Sequence, residues 1–382
     1  MPEKLKIAFF GEDFSRKAKG TALVVQKIAE QFLENFPDKI ELVLIRKAGV
    51  CNHPTAKKIR NIEIRLYRLP VFSTLISYLI FFIKNKEKFD VIIFNRNVYP
   101  GFWLLNAKKF ALLLYDAPAN SLHRIKMSFD IKLIDFFLKY VGKHFLNAIL
   151  AMSKEARKEI IGYYRIPPEK AFYVYGGVSE NFRPFSSPEK AEAERRIQKK
   201  YGITRPYILD VSRLDPQKNI HTLIDAFLIL KKEKCITHRL VIVGGRHLPE
   251  YNALIERKIS KAGLQRDIFI APYIEEEDVP VVYNLAEMLV YPSLLEGFGL
   301  PIIEAMKCGI PVIASDIPVF REVVGDAAIL LNPLDAGSMA NKIFEILDNQ
   351  KFRGNLIARG LERSKIFSWK RTASDLFKIV CA

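Results

Sequence analysis

Short apolar runs of strand length alternate with amphipathic helical segments along the whole chain. This alternation predicts βαβ units and parallel sheets. Several runs are almost continuously hydrophobic, which is typical of strands covered by helices on both faces. The predicted strands are Leu5–Phe10, Ile40–Ile45, Ile62–Leu66, Val91–Phe94, Phe110–Leu114, Ala148–Met152, Phe172–Val174, Tyr207–Ser212, Leu240–Val243, Ile268–Ile270, Met288–Tyr291, Pro311–Ala314 and Ala328–Leu331. We therefore expect an α/β fold.

The chain length predicts two such sheets, because 382 residues exceed what a single core usually supports. Val178–Lys200 contains prolines, adjacent serines and a charged run, which is the composition of a linker. We predict a Rossmann-like domain over residues 1–182 and a second over residues 183–363, with the tail of residues 364–382 packing back on the first. Ligands of doubly wound sheets bind outside the carboxyl ends of the strands, so we expect a ligand cleft between two facing domains.

Positive charge is concentrated in the first predicted domain. The formal net charge is +17, and residues 1–182 hold 30 basic and 17 acidic residues, a net charge of +13. Nucleic acid, a membrane surface or a phosphorylated substrate would account for this excess, and so would a generally basic proteome. No helix-turn-helix, ribonucleoprotein-type motif or basic tail is found, so we expect no nucleic-acid partner.

Two apolar stretches of the first domain bear on membrane contact. Leu69–Ile83 is uncharged but shorter than the roughly 20 residues that span a bilayer. Ile131–Leu150 mixes lysines with large apolar residues, as do helices that lie on anionic membranes. Both stretches also fit core-facing helices. With no secretory signal after Met1 and four dispersed cysteines without a CxxC pair, we expect a cytoplasmic protein, either free or peripheral on the inner face of the membrane.

The segment Tyr291–Asp316, YPSLLEGFGLPIIEAMKCGIPVIASD, carries the most chemical information. A predicted strand ends at Tyr291, glycines follow, and Pro301 suits the first position of a helix. Glycines before a helix N-terminus allow backbone N–H groups to approach an anion such as a pyrophosphate. We expect Glu304 in the first helical turn, where it and Glu296 converge on one ligand. Alternatively, Glu304 only complements the helix dipole and the glycines only build a tight turn.

This segment resembles the signature of the retaining nucleotide-sugar glycosyltransferases of family 4, which have the GT-B fold. In that family two glutamates are separated by seven residues, as Glu296 and Glu304 are here. The resemblance implies that Glu296 contacts the transferred sugar and that Glu304 binds the ribose hydroxyls of the nucleotide. It also implies that the backbone of Phe298, Gly299 and Leu300 meets the diphosphate.

A second similar segment is VSRLDPQKNI, residues 211–220. Arg213 and Lys218 resemble the basic pair that neutralises the departing diphosphate in the family, a task that needs fixed positive charge. Taken alone, both residues also fit surface charges near a helix start. Gly244, in a Val–Gly–Gly turn after a strand, resembles the turn beside the nucleotide.

The first half of the chain matches the family at scattered points only. Gly20, before a predicted helix, resembles the glycine-loop residue that approaches the donor phosphates. Many members carry His–Asp after the fifth strand, whereas this chain has Tyr115 and Asp116 there. By position Asp116 would contact the donor sugar or the acceptor, with His123 as a weaker substitute. Asp116 also fits a turn cap before Pro118.

The resemblance implies transfer of a sugar from a nucleotide diphosphate sugar to a glycan or lipid-linked acceptor, with retention at the anomeric carbon. Cell-envelope polysaccharide synthesis is the expected setting. No D-x-D sequence occurs, so we predict a metal-independent site without a cofactor. The alternatives are a hydrolysing or epimerising nucleotide-sugar enzyme and a non-catalytic nucleotide-sugar binder. A dinucleotide oxidoreductase is disfavoured because no G-x-G-x-x-G follows the first strand.

Overall fold

The computed structural model describes residues 4–10, 20–47, 54–65, 73–115, 129–246 and 248–381. The chain divides into two compact units. Unit 1 comprises Met1–Gly177 and Ser368–Ala382, and unit 2 comprises Val178–Phe367. The sequence places the boundary after residue 182 and the return of the tail near residue 364.

Unit 1 is built on a seven-stranded, entirely parallel sheet in the order β3-β2-β1-β4-β5-β6-β7. The order reverses between β1 and β4, as in doubly wound folds. The strands at the centre of the sheet are fully buried: Ala8 in β1, Ile92 in β4 and Leu112 in β5 are each 0% exposed. The strands are β1 Leu5–Phe10, β2 Ile40–Lys47, β3 Arg60–Ile64, β4 Lys88–Asn95, β5 Asn106–Leu113, β6 Ala148–Ala151 and β7 Ala171–Tyr173.

The described helices of unit 1 cover this sheet with amphipathic faces. They are α1 Thr21–Asn35, α2 Pro54–Lys57, α3 Ser73–Lys84, α4 Phe129–Phe137, α5 Lys143–Phe145, α6 Lys154–Tyr164 and α15 Trp369–Cys381, and a π-helical turn, Leu138–Gly142, joins α4 to α5. The predicted helical spacing of Ile131–Leu150 therefore holds only as far as Phe145, because β6 begins at Ala148.

Helix α15 returns from the end of unit 2 to pack on α1 of unit 1. The rings of Phe36 and Phe377 stack with centroids 4.1 Å apart. The Thr372 hydroxyl donates a 2.6 Å hydrogen bond to the Tyr175 carbonyl oxygen. These contacts make the last helix part of the first unit.

Unit 2 has a six-stranded parallel sheet in the order β10-β9-β8-β11-β12-β13. Its order reverses between β8 and β11. The strands are β8 Tyr207–Val211, β9 Arg239–Val243, β10 Ile268–Ile270, β11 Met288–Tyr291, β12 Val312–Ser315 and β13 Ile329–Leu331. The predicted strand runs of both halves overlap the observed strands, and the two Rossmann-like α/β units are confirmed.

The helices of unit 2 are α7 Ser187–Tyr201, α8 Ile220–Glu233, α9 Pro249–Ala262, α10 Val279–Leu285, α11 Leu300–Lys307, α12 Pro318–Val324, α13 Ala336–Asp348 and α14 Gln350–Ser364. The linker prediction for Val178–Lys200 is wrong in its second half, which is helix α7. Ser186 and Glu189 form a capping box at its start, which stabilises the helix despite its highly charged sequence. Within the described ranges, no helix is both long and apolar enough to cross a membrane.

Candidate active site

The sheet of unit 2 brings two loops together where its strand order reverses. One loop follows β8 and carries Arg213 and Lys218, and the other follows β11 and carries Glu296. Because β8 and β11 are adjacent parallel strands, their carboxyl ends open on the same edge of the sheet. This edge, at the reversal, is where doubly wound sheets bind ligands.

Lys218, Tyr291 and Glu296 form a compact, largely buried cluster at this edge. The Lys218 ammonium donates a short, charge-assisted hydrogen bond to Glu296 Oε1. The Tyr291 hydroxyl donates to the same oxygen over 2.7 Å and accepts from Lys218 Nζ over 3.1 Å. The side chains of Lys218 and Glu296 are only 16% and 14% exposed. Each member thus contacts the other two, and the cluster holds one cation against one carboxylate.

Burial and the adjacent Glu296 carboxylate raise the pKa of Tyr291 well above its usual value. Its hydroxyl therefore stays protonated and remains a donor to Glu296. Sequence reasoning noted Tyr291 only as a strand end. A tyrosine closing the apolar strand MLVY, just before a glycine-rich loop, is the signal that would have identified it.

The two loops are held to each other by one backbone–backbone hydrogen bond and by side chain–backbone hydrogen bonds. Gln217 Nε2 donates to the Leu295 carbonyl oxygen over 2.6 Å, and Leu294 N donates to the Gln217 carbonyl oxygen over 2.8 Å. Asn219 is buried with a left-handed φ of 56°, and its amide donates to the carbonyl oxygens of Pro292 and Pro333. These bonds fix Lys218 relative to Glu296. Gln217 and Asn219, which make them, flank Lys218, and the acceptor Leu295 directly precedes Glu296.

Arg213 lies on the same loop as Lys218 but is exposed. In the described part of the chain no carboxylate forms an ion pair with it. The two predicted cations therefore differ: Lys218 is already paired and Arg213 offers an unshared charge.

Gly244 allows the turn after β9 to pass close to the loop after β8. Its φ is 148°, and a Cβ atom there would collide with the Ser212 carbonyl group and lie 2.8 Å from Arg213 N. Leu214 N donates to the Gly245 carbonyl oxygen over 3.0 Å, which joins the two turns. The structure thus gives Gly244 a packing role that shapes the Arg213 loop.

Helix α11 begins directly after the Glu296 loop. Gly299 is its N-cap residue with a φ of 99°, and a Cβ there would lie 2.8 Å from the Phe320 ring. Phe298 is 5% exposed and packs edge-on against Phe367, with ring centroids 5.6 Å apart. Pro301 is the second helical residue, after Leu300, rather than the first. The N-terminal N–H groups of α11 are thereby fixed beside the loop that carries Glu296.

Glu304 lies in the second turn of α11, so its predicted place in the first turn is wrong. Complementing the helix dipole therefore does not account for it, since that effect fades beyond the first turn. Its Oε2 accepts a 2.7 Å hydrogen bond from the Tyr283 hydroxyl. Although part of the side chain reaches the surface, its carboxyl is surrounded by protein, and this burial raises its pKa to about 7.

Asp210 is a buried acid beneath this site that sequence reasoning missed. It is 0% exposed, and its carboxylate accepts a short hydrogen bond from the Ser212 hydroxyl. Burial raises its pKa to about 7, while the Ser212 hydrogen bond and the Lys218 charge act in the opposite direction. An aspartate inside the otherwise apolar strand YILDV is the signal that would have revealed it.

In unit 1 the predicted residues gather at the carboxyl end of the other sheet. Gly20 is the N-cap residue of α1, with a φ of 59° and open space around it. The hydroxyl of Tyr115, 8% exposed, contacts Asn95 Oδ1 at 2.8 Å and the Thr21 carbonyl oxygen at 3.2 Å. Tyr115 thus ties the start of α1 to the end of β4. Asp116 and His123 lie outside the described residues.

Among the described residues, one group of acids is close enough together to hold a metal ion: Glu275, Glu277 and Asp278. Asp278 is already engaged by Lys200, by Arg196 and by the Tyr201 hydroxyl. Engaged carboxylates of this kind make a poor cation site, and a metal-independent reaction stays a prediction.

Comparison with known proteins finds a family model that matches the segment carrying this site. Residues 193–363 match the model of the glycosyl transferases group 1. The chain is 33% identical over 227 residues to the O-antigen chain mannosyltransferase B of Escherichia coli, an alignment that covers 59% of this chain and 58% of that protein. It is 32% identical over 211 residues to the O-antigen chain mannosyltransferase RfbU of Salmonella typhimurium, covering 55% of this chain and 54% of that one. The alignments thus span little more than half of these relatives.

The whole chain resembles solved structures in fold. It superposes on Anabaena Alr3699/HepE, solved in complex with UDP and glucose, with a TM-score of 0.78, 17% identity and coverage of 99% of this chain and 100% of that one. It also superposes on the sucrose-phosphate synthase of Thermosynechococcus elongatus, with a TM-score of 0.74, 20% identity and 98% coverage of both chains. At these identities the likeness establishes the fold alone.

Proposed function

We propose that the protein is a retaining glycosyltransferase, because residues 193–363 match the model of the glycosyl transferases group 1. It moves a sugar from a nucleotide diphosphate sugar to an acceptor hydroxyl. The observation that carries the proposal is the cluster of Lys218, Tyr291 and Glu296, positioned where the sheet order of unit 2 reverses.

The cations of the site suit a departing nucleoside diphosphate. A leaving diphosphate gains negative charge as the glycosidic bond breaks, and fixed positive groups lower the energy of that state. Arg213 contributes an exposed, unshared guanidinium, and Lys218 contributes an ammonium held at a fixed place. The N-terminus of α11, whose N-cap residue is Gly299, adds oriented backbone N–H groups that can also bind a phosphate.

Glu296 supplies the negative group that the sugar requires. When the leaving group departs, positive charge develops at the anomeric carbon, and a carboxylate nearby stabilises it. Glu296 is held by two donors on one oxygen, so its second carboxylate oxygen is free of those two bonds and can meet sugar hydroxyls. In this proposal Glu304, one turn inside α11, binds the ribose hydroxyls of the nucleotide.

We propose that the sugar is mannose and that the product is a cell-envelope polysaccharide. Two relatives at 32–33% identity are O-antigen chain mannosyltransferases, and this supports both parts. The acceptor, a glycan or a lipid-linked glycan, is assigned to unit 1, which holds most of the positive charge. Asp116 and Gly20 are proposed to contact the donor or the acceptor from that unit.

A donor screen followed by product analysis tests the proposal. Unfolding temperature is measured with UDP-, GDP- and ADP-linked mannose and glucose, because stabilisation by a ligand grows with its concentration relative to Kd. The best donor is then incubated with glycan acceptors, and the anomeric configuration of the product is read by NMR. We expect one mannosyl donor to stand out and the product to keep the configuration of the donor.

The variant Glu296→Gln separates catalysis from donor binding. Transfer should fall by at least about 100-fold, since the developing positive charge loses its carboxylate, while donor-induced stabilisation persists. Glu233→Gln, at an exposed position at the end of α8, is the matched control and should transfer at the normal rate. Undiminished transfer by Glu296→Gln would refute the assignment. Release of free sugar without transfer would indicate a hydrolase, and donor binding without any turnover would indicate a non-catalytic binder.

A further inference from the structure

Unit 1 has several large apolar side chains that are exposed to solvent and not packed in its core. They lie on three elements: α3, the short 3-10 helix Phe102–Leu104, and the segment from α4 to α5. Single exposed apolar residues are ordinary, but a contiguous set marks an interaction site. We call this set the apolar surface. Its members and their exposed fractions are Leu79 40%, Ile83 53%, Leu104 48%, Phe136 60%, Tyr140 56% and Phe145 42%.

The first two elements meet at Gly101. A Cβ atom at Gly101 would lie 2.7 Å from Leu79 Cδ1 and 3.6 Å from Leu104 Cδ1, so these two leucines flank the same turn. Trp103, beside Leu104, stacks on Phe145 with ring centroids 4.4 Å apart and an interplanar angle of 13°. The apolar surface is therefore continuous from α3 to α5.

The π-helical turn Leu138–Gly142 lies between α4 and α5, where unit 1 has a second pair of exposed rings. Phe137 and Leu138 are 7% and 3% exposed and face the core. Phe136 and Tyr140 face outward, with ring centroids 4.6 Å apart. π-helical turns are rare and are frequently found at functional sites. Here the π-helical turn contains Tyr140 and lies next to Phe136, and neither aromatic ring is packed in the core.

Lysines outnumber acids in the segments that form the apolar surface. Residues 73–87 contain two lysines and one acid, Glu87, which pairs with Lys6. Residues 129–146 contain three lysines and two acids, Asp130 and Asp135. The two oxygens of Asp135 accept hydrogen bonds from the hydroxyls of Tyr163 and Tyr164 over 2.8 and 2.7 Å. Lys84, Lys86 and Lys132 are exposed and lie in these same segments. The charge that the surface presents is therefore positive.

Exposed aromatic and aliphatic side chains with exposed lysines in the same segments match the chemistry of an anionic bilayer surface. Apolar groups enter the boundary between headgroups and acyl chains, while lysines contact phosphate groups. We propose that the apolar surface and its lysines dock unit 1 on anionic membranes. This deepens the proposed function by naming the partner of unit 1, and it rests on that function only for its biological purpose. Binding to lipid requires no sugar transfer.

Co-sedimentation with lipid vesicles tests the proposal. The full chain is mixed with phosphatidylcholine vesicles that either contain or lack phosphatidylglycerol, at low and at high salt. We expect binding to the anionic vesicles at low salt and weaker binding at high salt, because screening reduces the lysine contribution. Equal recovery with neutral and anionic vesicles, or no recovery with either, overturns the proposal.

Two sets of variants locate the contact. Phe136→Ser with Tyr140→Ser should weaken binding about tenfold or more, because two partly inserted rings are lost. Lys84→Gln, Lys86→Gln and Lys132→Gln together should weaken binding and reduce its salt dependence. The matched control is Leu254→Ser with Leu334→Ser, which removes exposed apolar residues of unit 2, 42% and 66% exposed, and should leave binding unchanged.

Urea unfolding of each variant, followed by tryptophan fluorescence, shows whether unit 1 is folded, because both tryptophans of the chain lie in unit 1. Loss of vesicle binding with the unfolding transition of the wild type retained supports the proposal. Wild-type binding by the Phe136/Tyr140 variant refutes it. Concentration-dependent dimerisation that the same variant abolishes, without vesicle binding by the wild type, also refutes it and assigns the surface to a second copy of the chain.

Discussion

The raised pKa of Glu304 makes the stability of unit 2 depend on pH in a specific direction. Its carboxyl is enclosed by protein and receives one hydrogen bond, from the Tyr283 hydroxyl. Burial raises its pKa from the ordinary 4.5 to about 7. Replacing it by glutamine in Glu304→Gln keeps the shape and an acceptor oxygen for Tyr283 but removes the ionisation.

The size of the effect follows from the two pKa values. A difference of one pKa unit corresponds to about 1.4 kcal/mol, so a folded-state pKa of about 7 against 4.5 corresponds to about 3 kcal/mol. Between these pH values the folded protein holds the proton and the unfolded chain releases it. The unfolded state therefore binds fewer protons, and the free energy of unfolding of the wild type falls as the pH rises through this window.

The glutamine side chain of Glu304→Gln cannot ionise, so the free energy of unfolding of this variant should not fall through this pH window. At a pH near 4.5, where the glutamate is protonated in the folded state, we expect the variant and the wild type to be nearly equal in stability. At about pH 8 the variant should be more stable by about 2–3 kcal/mol. Asp210 titrates in both proteins and cancels in the difference.

The assay must report on unit 2 alone. Hydrogen exchange of peptides that contain residues 300–307, measured across urea concentrations at both pH values, gives the free energy of opening of α11. The control is Glu233→Gln, which should not differ from the wild type at either pH. A Glu304→Gln variant that is equally stable or less stable than the wild type at the higher pH would refute the argument from burial. It would mean that the ionised carboxylate is stabilised in the folded protein.

Two further predictions concern backbone packing and the returning helix. Gly244→Ala should lower the free energy of unfolding of unit 2 by at least about 2 kcal/mol, because its Cβ would collide with the Ser212 carbonyl group. Gly354→Ala is the control, since open space surrounds that position, and it should not destabilise unit 2. Thermal unfolding of the two variants compares these effects. Phe377→Ala should destabilise unit 1 by about 1–2 kcal/mol, because the half-buried ring loses its stack on Phe36. Urea unfolding followed by tryptophan fluorescence checks this, since both tryptophans of the chain lie in unit 1, and a loss as small as that of the exposed Lys378→Ala would contradict it.

The strands could be predicted from sequence because a buried parallel strand is an uninterrupted apolar run, which is a local property. Helix α7 was misread as linker because its mean polarity is high. What stabilises it is the capping box of Ser186 and Glu189, together with a narrow apolar stripe of Ala193, Ile197 and Tyr201. The π-helical turn could not be predicted, since one extra residue in a turn leaves the hydrophobic pattern almost unchanged.

The site shows the same division between local and distant information. The motif residues Glu296 and Lys218 were identified from their sequence neighbourhoods, and the structure brings them into direct contact. The hydroxyls that hold Glu296 and Glu304 come from Tyr291 and Tyr283, and which carboxyl each would meet depends on the packing of β11 and α10 against α11. Such pairings depend on how the elements pack in the tertiary structure and could not be predicted from this single sequence.

Under the proposed function, Tyr291 explains how Lys218 could leave Glu296 when a diphosphate binds. Among the residues that the structure describes, the Lys218 ammonium is the one cation that donates a hydrogen bond to Glu296. A phosphate group that draws Lys218 toward itself would leave this carboxylate without its cation, and an unpaired, largely buried charge is costly. The Tyr291 hydroxyl, kept protonated by its raised pKa, still donates to the same oxygen and keeps Glu296 in place. Under the proposed function the two cations have distinct tasks. Arg213 has no ion pair to break within the described part of the chain and would attract the diphosphate, whereas Lys218 would transfer its charge from Glu296 to the leaving group.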